Sequence, residues 1–244
     1  MHPILFRWRG RPVWSYPAML FVGLSVGLVI GNLEANLRGL DGTRIYLASV
    51  LLVLPALAGA RLVYVAGHWD LFREEPALIW RHSVGGQAMY GGLLAVPVSI
   101  SLLRALDIPF WAFWDVATFT MLTGMVFTRV GCLLQGCCTG RIADRGLGVF
   151  LRGPDGVARK RVPTQLLEAA LGAVVLAGTL AIPGGAPRGT VFLVALAGYA
   201  VGRVVLQGTR QEAHRVAGLG SQRVASVVLA GMAIALLVFT LARV

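Results

Sequence analysis

The chain has 244 residues, of which 57% are hydrophobic and 14% are charged, and its formal net charge is +11. A soluble domain carries about 25% charged residues, so the composition argues against a soluble protein. The positive charge comes from 21 arginines and one lysine. Because no polar segment is long enough to form a second domain, this charge favours lipid phosphate as a partner and argues against nucleic acid.

Apolar runs of about 20 residues recur along the chain, and each is long enough to cross a bilayer as a helix. We predict an all-α polytopic integral membrane protein with about seven transmembrane helices around a polar lipid-binding cavity. A single transmembrane domain is expected to cover residues 1–244. The predicted spans are about 13–33, 45–66, 84–103, 110–131, 163–182, 189–207 and 224–242.

The N-terminal region carries three arginines, Arg7, Arg9 and Arg11, before the first apolar run. That run extends to about Ile30 without a clear small-x-small cleavage site, so we expect a retained first span and not a cleaved signal peptide. With seven spans, most lysines and arginines outside the spans fall on the side of the N-terminus. The positive-inside rule therefore places the N-terminus in the cytoplasm.

Three arginines lie inside apolar runs: Arg61, Arg129 and Arg203. An arginine at the centre of a span costs about 2.5–3.5 kcal/mol on insertion scales, so each needs a reason to be there. One alternative is that the side chains reach back to the membrane interface. We favour a polar cavity that binds an anionic headgroup, with Glu168 and Asp115 as internal counter-charges.

The segment from Thr128 to Arg141 combines a buried charge with cysteines and glycines. Arg129 and Cys132 are three residues apart and therefore share a helix face. Gly131, Gly136 and Gly140 are expected to loosen the backbone at membrane depth, where irregular backbone can line a cavity. The only cysteines, at positions 132, 137 and 138, are too few and too clustered for a disulfide framework. Together with His82 they could bind zinc, but their spacing is poor for it, so we expect neither metal nor cofactor.

Two further segments offer polar groups at membrane depth. In the first, the glycine pairs allow backbone N–H groups to approach an anion, and the side chains between them offer hydrogen bonds. It contains Gly85, Gly86, Gly91 and Gly92, with His82, Gln87 and Tyr90. In the second segment, Gln165 and Glu168 are three residues apart and form a polar pair on one face of the fifth span.

Six segments, in this order, resemble the prolipoprotein diacylglyceryl transferase family and cover nearly the whole chain. They are Tyr16-Pro17, Gly59-Ala-Arg-Leu-Val-Tyr64, Gly85-Gly-Gln-Ala-Met-Tyr-Gly-Gly92, Arg129-Val-Gly-Cys-Leu-Leu-Gln-Gly-Cys137, Pro163-Thr-Gln-Leu-Leu-Glu-Ala169 and Arg203-Val-Val-Leu-Gln-Gly-Thr-Arg210. Each segment alone is weak evidence, but six in order make the resemblance specific. The chain also departs from the family pattern: Tyr90 stands where the family has a catalytic His, Cys132 and Cys137 where it has Asn and Glu, and Gln207 where it has a late Glu.

The resemblance implies transfer of a diacylglyceryl group from phosphatidylglycerol to the lipobox cysteine thiol of a preprolipoprotein, with glycerol phosphate as the leaving group. It implies a catalytic role for Arg129 and Arg203, and it makes Tyr90 or the nearby His82 the candidate proton acceptor. Substrate-binding positions carried over with it are Tyr16, Arg61, Gly85, Gly86, Gln87, Gly91, Gly92, Cys132, Gln135, Cys137, Gln165, Glu168 and Arg210.

The resemblance also implies a location. The expected partners are phosphatidylglycerol, the lipobox segment and membrane lipids, and the expected place is the bacterial cytoplasmic (inner) membrane, with the active site toward the outer face. In the family the N-terminus lies outside, whereas the distribution of lysine and arginine predicts a cytoplasmic N-terminus. We follow the family, because arginines kept for function can outnumber those that set topology.

Three alternatives stay open from the residues alone. The chain could be a paralogue that transfers a lipid group to a different acceptor. It could also be a non-catalytic membrane protein that binds anionic lipid or transports a solute, since broken helices and buried arginines serve transporters too. In the third alternative, Cys132, Cys137 and Cys138 form a thiol redox or metal-binding site.

Overall fold

The computed structural model describes residues 2–80, 95–143, 148–152, 157–210 and 221–242. Within these ranges the chain is mostly helical, with two short antiparallel hairpins and two 3₁₀ turns. The helices are α1 (Ser15–Leu37), α2 (Gly42–Gly67), α3 (Trp69–Glu74), α4 (Ala95–Ala105), α5 (Phe110–Gln135), α6 (Thr164–Leu180), α7 (Thr190–Leu206) and α8 (Ser221–Leu241). The strands are β1 (Ile4–Trp8), β2 (Arg11–Trp14), β3 (Val149–Arg152) and β4 (Ala158–Arg161), and the 3₁₀ turns are Pro76–Trp80 and Gln207–Thr209.

Five helices, α1, α2, α5, α7 and α8, are long and apolar enough to cross a bilayer, counting the 3₁₀ turn that extends α7. Two shorter apolar helices, α4 and α6, occupy the third and fifth predicted spans. Large apolar side chains are exposed along these helices, whereas polar side chains such as those of Gln165, Glu168 and Arg203 are buried. This inside-out distribution is what a lipid solvent selects. The all-α, multi-pass membrane fold predicted from the sequence is confirmed.

The boundaries of α5 differ from the prediction in an informative way. The helix runs to Gln135 and passes through Gly131 without a break, so the prediction that Gly131 loosens the backbone is wrong. A Cβ at this position would lie 2.9 Å from the Met19 Cβ and 3.3 Å from the Tyr16 Cα. Glycine is therefore needed here because α1 approaches closely, and not because the helix ends.

The described residues form two compact units. The first comprises Met1–Arg38 and Trp114–Val244, and its packing begins with α1 against α5. Along α1, Gly23, Gly27 and Gly31 are buried four residues apart, the small-residue spacing that lets membrane helices approach closely. The Thr120 hydroxyl donates a hydrogen bond to the Gly27 carbonyl across this contact, at 2.9 Å.

The remaining helices of the first unit follow the same rule. Gly172 of α6 lies against the Met125 and Val126 side chains of α5, and Gly202 of α7 lies against Leu171 of α6. Asp115, one of the two expected counter-charges, accepts hydrogen bonds from the first turn of α7 instead, from the Gly189 N–H at 2.6 Å and the Phe192 N–H at 2.9 Å. A carboxylate at a helix N-terminus satisfies amides that the helix itself leaves without partners.

The second unit comprises Gly39–Phe113, with α2 packed against α4. The Asp41 carboxylate caps α2 by accepting hydrogen bonds from the backbone N–H groups of Thr43 and Arg44. Further along α2, the Arg61 guanidinium donates to the Ile79 carbonyl at 3.1 Å. It also lies over the Tyr64 and Phe72 rings, 5.6 and 5.4 Å from their centroids.

Candidate functional site

One carboxylate, that of Glu168, organises the polar interior of the first unit. Its Oε2 lies 2.8 Å from Arg129 Nε, and its Oε1 accepts hydrogen bonds from Arg210 Nε at 3.0 Å and Nη2 at 2.7 Å. Arg203 Nη1 also donates to Oε1. Three guanidinium groups from three parts of the chain therefore meet at a single acid. We call these four residues the arginine cluster.

The charges of the arginine cluster do not balance. Glu168 is 1% exposed and Arg203 3%, while the side chains of Arg129 and Arg210 are 11% and 24% exposed. Within these four described residues, three positive charges meet one negative charge, an excess of two. Guanidinium groups also match the oxygens of phosphate in a bidentate fashion. An arrangement of this kind can receive an anion, and its guanidinium groups suit phosphate.

Backbone geometry around Gly140 brings the arginine cluster together. The Gly140 N–H donates to the Val162 carbonyl at 3.2 Å, and the Arg141 N–H donates to the Thr209 carbonyl at 3.0 Å. A Cβ at Gly140 would collide with the Val162 and Thr209 carbonyl oxygens and the Thr164 hydroxyl. The segments that follow α5, precede α6 and follow α7 therefore cross at this glycine, which fixes where Glu168 and Arg210 lie.

Gln165 joins the arginine cluster to the turn that follows α5. Its side chain is 1% exposed, and its Nε2 donates to the Cys137 carbonyl at 2.7 Å. Gln165 Oε1 and Gln135 Oε1 are both buried acceptors that have no hydrogen-bond partner among the described residues. Buried acceptors are normally paired, so these two oxygens offer places for hydroxyl groups of a ligand.

The three cysteine sulfurs also come together at this turn, all within 4.8 Å of one another. Cys132 is buried in the last turn of α5, Cys137 is half-buried and Cys138 is exposed. Hydrogen bonds from Cys132 and Cys137 to the Cys138 sulfur lower the pKa of Cys138 below its ordinary value, and the charges of Arg129 and Arg210 add to this effect. We call these three residues the cysteine cluster.

Two tyrosines lie beside these clusters: Tyr16 beside both, and Tyr199 beside the arginine cluster. Tyr16, at the start of α1, interacts electrostatically with Arg129 and with all three cysteines. Tyr199 of α7 hydrogen-bonds to Arg129. Tyr16 is among the residues predicted from the sequence, whereas Tyr199 is not, although Tyr199 lies four residues before Arg203 and hence on the same face of α7. Cys138 is also not among the predicted residues.

The structure brings together eight residues that were selected from the sequence: Tyr16, Arg129, Cys132, Cys137, Gln165, Glu168, Arg203 and Arg210. Gln135 lies in the last turn of α5, three residues after Cys132. Arg61 belongs to the second unit, where its guanidinium contacts the Ile79 carbonyl and two aromatic rings. The remaining selected residues lie outside the described residues: His82, Gly85, Gly86, Gln87, Tyr90, Gly91 and Gly92.

Comparison with known proteins agrees with the resemblance noted in the sequence. The family model for prolipoprotein diacylglyceryl transferase matches residues 3–240. A phosphatidylglycerol–prolipoprotein diacylglyceryl transferase of Bacillus velezensis is 29% identical, over 98% of this chain and 92% of its own length. Proteins of the same name from Lactiplantibacillus plantarum and Bacillus cereus are 30% and 27% identical, over 87% and 95% of this chain and 79% and 88% of their own lengths.

A match over nearly the whole chain accounts for the multi-pass helical fold, and it confirms the membership expected from the six sequence segments. The family is a bacterial membrane family of transferases, named for lipoprotein biosynthesis. The chain belongs to the prolipoprotein diacylglyceryl transferase family.

Proposed function

We propose that this protein transfers a diacylglyceryl group from phosphatidylglycerol to the lipobox cysteine thiol of a preprolipoprotein and releases glycerol phosphate. The observation that carries the proposal is the arginine cluster, in which Arg129, Arg203 and Arg210 share the single acid Glu168. Such an excess of buried positive charge suits an enzyme whose leaving group is a phosphate monoester. The names of the relatives indicate the same pair of substrates.

In the proposed reaction the acceptor thiolate attacks the glycerol carbon of the diacylglyceryl group, and the bond from that carbon to the phosphate oxygen breaks. The electron pair of the breaking bond goes to the phosphate. Arginine donors held in a water-poor site stabilise this developing charge without reorganising. Because both substrates lie in the membrane, binding at one site also replaces a bimolecular encounter. We assign Arg129 and Arg203 to the phosphate, with Arg210 supporting them.

The polar surroundings of the arginine cluster suit the rest of a phosphatidylglycerol headgroup. The Oε1 atoms of Gln135 and Gln165 are buried acceptors, and the terminal glycerol of the headgroup carries two hydroxyl donors. We assign these amides, with Tyr16, to headgroup orientation. Cys132 and Cys137 are placed in the substrate site by the resemblance alone.

The group that accepts the proton of the acceptor thiol, and several contacts to the substrate, are predicted from the sequence alone. The acceptor thiol must lose its proton before it attacks, and His82 and Tyr90 are the proposed acceptors of that proton. Gly85, Gly86, Gln87, Gly91 and Gly92 are proposed to approach the headgroup, and Arg61 to support the phosphate.

A reconstituted assay tests the proposal directly. Purified protein in vesicles that contain labelled phosphatidylglycerol should convert a lipobox peptide to its diacylglyceryl thioether and release glycerol phosphate in equal amount. Arg129→Ala should abolish transfer. Arg188→Ala, which removes an exposed arginine from the loop between α6 and α7, should leave the rate unchanged. Wild-type rates in Arg129→Ala would refute the phosphate assignment.

The same assay separates the main alternative. In a paralogue with another acceptor, phosphatidylglycerol would be consumed while the lipobox peptide stays unmodified. We include this measurement because the chain departs from the family pattern at Cys132, Cys137 and Tyr90. A protein that only binds or transports lipid would consume none.

We further propose that the protein is a single transmembrane domain of the bacterial cytoplasmic membrane, with its active site toward the outer face and its N-terminus outside. The family orientation supports this proposal, because the lipobox acceptor meets the enzyme after it has crossed the membrane. The distribution of lysine and arginine supports the opposite orientation, and so the orientation needs its own test.

A further inference from the structure

The cysteine cluster has a geometry that the proposed transfer reaction does not require. The Sγ atoms of Cys132, Cys137 and Cys138 all lie within 4.8 Å of one another. Three sulfurs bound to one metal ion at about 2.3 Å each lie about 4 Å apart, so the observed spacing needs little adjustment to close around an ion. The Cys-x4-Cys-Cys spacing is poor for a metal site when it is judged from the sequence. Spacing along the chain, however, does not show how the chain turns in space.

The backbone explains how this unfavourable spacing converges. The Gly136 and Cys137 N–H groups both donate to the Cys132 carbonyl, at 3.0 and 3.1 Å. Gly136 has a φ of 82°, and Cys138 has a φ of 58°, in the left-handed region that non-glycine residues rarely adopt. These two left-handed residues reverse the chain after α5 and return the later thiols to Cys132. Gln165 holds the turn in place through the Cys137 carbonyl.

Two guanidinium groups lie near the cysteine cluster. Arg129 and Arg210 both interact electrostatically with Cys138, and Arg129 also interacts with Cys132. Metal binding by cysteine requires deprotonated thiols and releases their protons. Three thiolates with one monovalent cation keep two negative charges, and the neighbouring guanidinium groups offset part of that charge.

We propose that Cys132, Cys137 and Cys138 form a trithiolate site for one Cu(I) ion. Thiolates are soft ligands and select soft ions. Zinc almost always takes four ligands in structural sites, whereas the cluster found among the described residues consists of these three cysteines. Three thiolates complete a trigonal site for Cu(I), so copper fits the donor set better than zinc. This site goes beyond the transferase reaction and does not depend on it.

Copper competition tests the site in the full-length protein. The protein, reduced and kept anaerobic in detergent, is titrated into a Cu(I) complex of a chromogenic chelator, with no lipid or peptide substrate added. We expect one Cu(I) per chain. Serine at any one of the three positions should weaken binding more than about 100-fold, since loss of an outer partner of a metal ligand alone costs about 10–100-fold.

A matched control separates the cysteine cluster from general sulfur binding. Met121 is an exposed thioether of α5, distant in sequence from the cluster, and Met121→Leu should leave the Cu(I) affinity unchanged. X-ray absorption at the copper edge should give three sulfur neighbours in the wild type. This measurement is independent of how well each serine variant folds.

Several outcomes would overturn the proposal. They are failure of the reduced wild-type protein to compete for Cu(I), a wild-type Cu(I) affinity in Cys132→Ser, Cys137→Ser or Cys138→Ser, and tighter binding of Zn(II) than of Cu(I). Because no step uses phosphatidylglycerol or a lipobox peptide, loss of the copper site and loss of the transferase reaction are distinguishable results.

Discussion

At the scale of single residues, Glu168 holds the interior of the first unit together. Removing this acid would take away the carboxylate that three guanidinium groups of the described residues share. Breaking a buried ion pair by removing one partner costs more than the pair contributes, because the other charge stays buried. Glu168 therefore has a structural role as well as a place beside the proposed phosphate site.

We predict that Glu168→Gln lowers the free energy of unfolding by about 3–5 kcal/mol, the cost typical of an uncompensated buried charge. Reversible unfolding in mixed detergent micelles measures the change. The control is Asp107→Asn, which removes the acid of an exposed pair with Arg44 whose side chains keep 100% and 52% exposure, and which should leave the free energy of unfolding nearly unchanged. Equal losses in the two variants would contradict a special role for Glu168.

The residues of the arginine cluster were predictable to different degrees. Arg129, Arg203 and Glu168 were found because charges inside apolar runs are rare and need partners. Arg210 lies beyond the run and was found only through the family resemblance. Asp115 was selected by the same reasoning as Glu168, but it caps α7. Sequence identifies a buried charge, but it does not say which partner the fold provides.

At the scale of elements, the close contact between α1 and α5 sets the frame on which the site is built. Gly27 and Gly31 of α1 lie directly against Thr120 of α5, with no room for a side chain. The same approach brings Tyr16 next to Gly131, one turn before Gln135. Glycine in this contact therefore determines the distance between Tyr16 and the arginine cluster.

We predict that Gly27→Ala lowers stability by about 1–3 kcal/mol through overpacking. Its Cβ would lie 2.7 Å from the Thr120 carbonyl oxygen, and backbone cannot move aside as a flexible side chain can. Gly178→Ala, in α6, is the matched control, because a Cβ there meets nothing within 4 Å. It should leave stability unchanged or raise it by up to about 1 kcal/mol. Equal effects in both variants would contradict this account of the α1–α5 contact.

The helical elements were largely predictable, whereas their ends were not. Continuous apolar runs predict the positions of α1, α2, α5, α7 and α8, because runs of about 20 apolar residues in a chain with so few charges indicate membrane-spanning helices. The predicted end of α5 is wrong because Gly131 serves helix packing and does not break the helix. The β3–β4 hairpin, in the longest polar segment, was missed because its strands are too short and too polar to give a periodic signal.

At the scale of the whole molecule, the distribution of polarity is the reverse of that in a soluble protein. Apolar side chains cover the helices, and buried ion pairs lie among them. This distribution was readable from the composition alone. What composition does not give is the direction of insertion, since the arginines that decide the charge count include those kept for function.

We predict that a fluorescent protein fused to the C-terminus is active in the cytoplasm and that a periplasmic alkaline phosphatase fused there is inactive. With seven spans, this result places the N-terminus outside, as in the family. A control fusion after the second predicted span should give the opposite pair of signals, because an even number of spans ends on the same side as the N-terminus. Phosphatase activity at the C-terminus would favour the orientation given by the charge count.

We propose that the excess positive charge of the arginine cluster holds the phosphate of the lipid donor. A structure determined in nanodiscs with bound phosphatidylglycerol tests this role. Phosphate oxygens should lie within hydrogen-bond distance of at least two of Arg129, Arg203 and Arg210. A bound headgroup whose phosphate contacts other residues, while these arginines contact Glu168 alone, would contradict it.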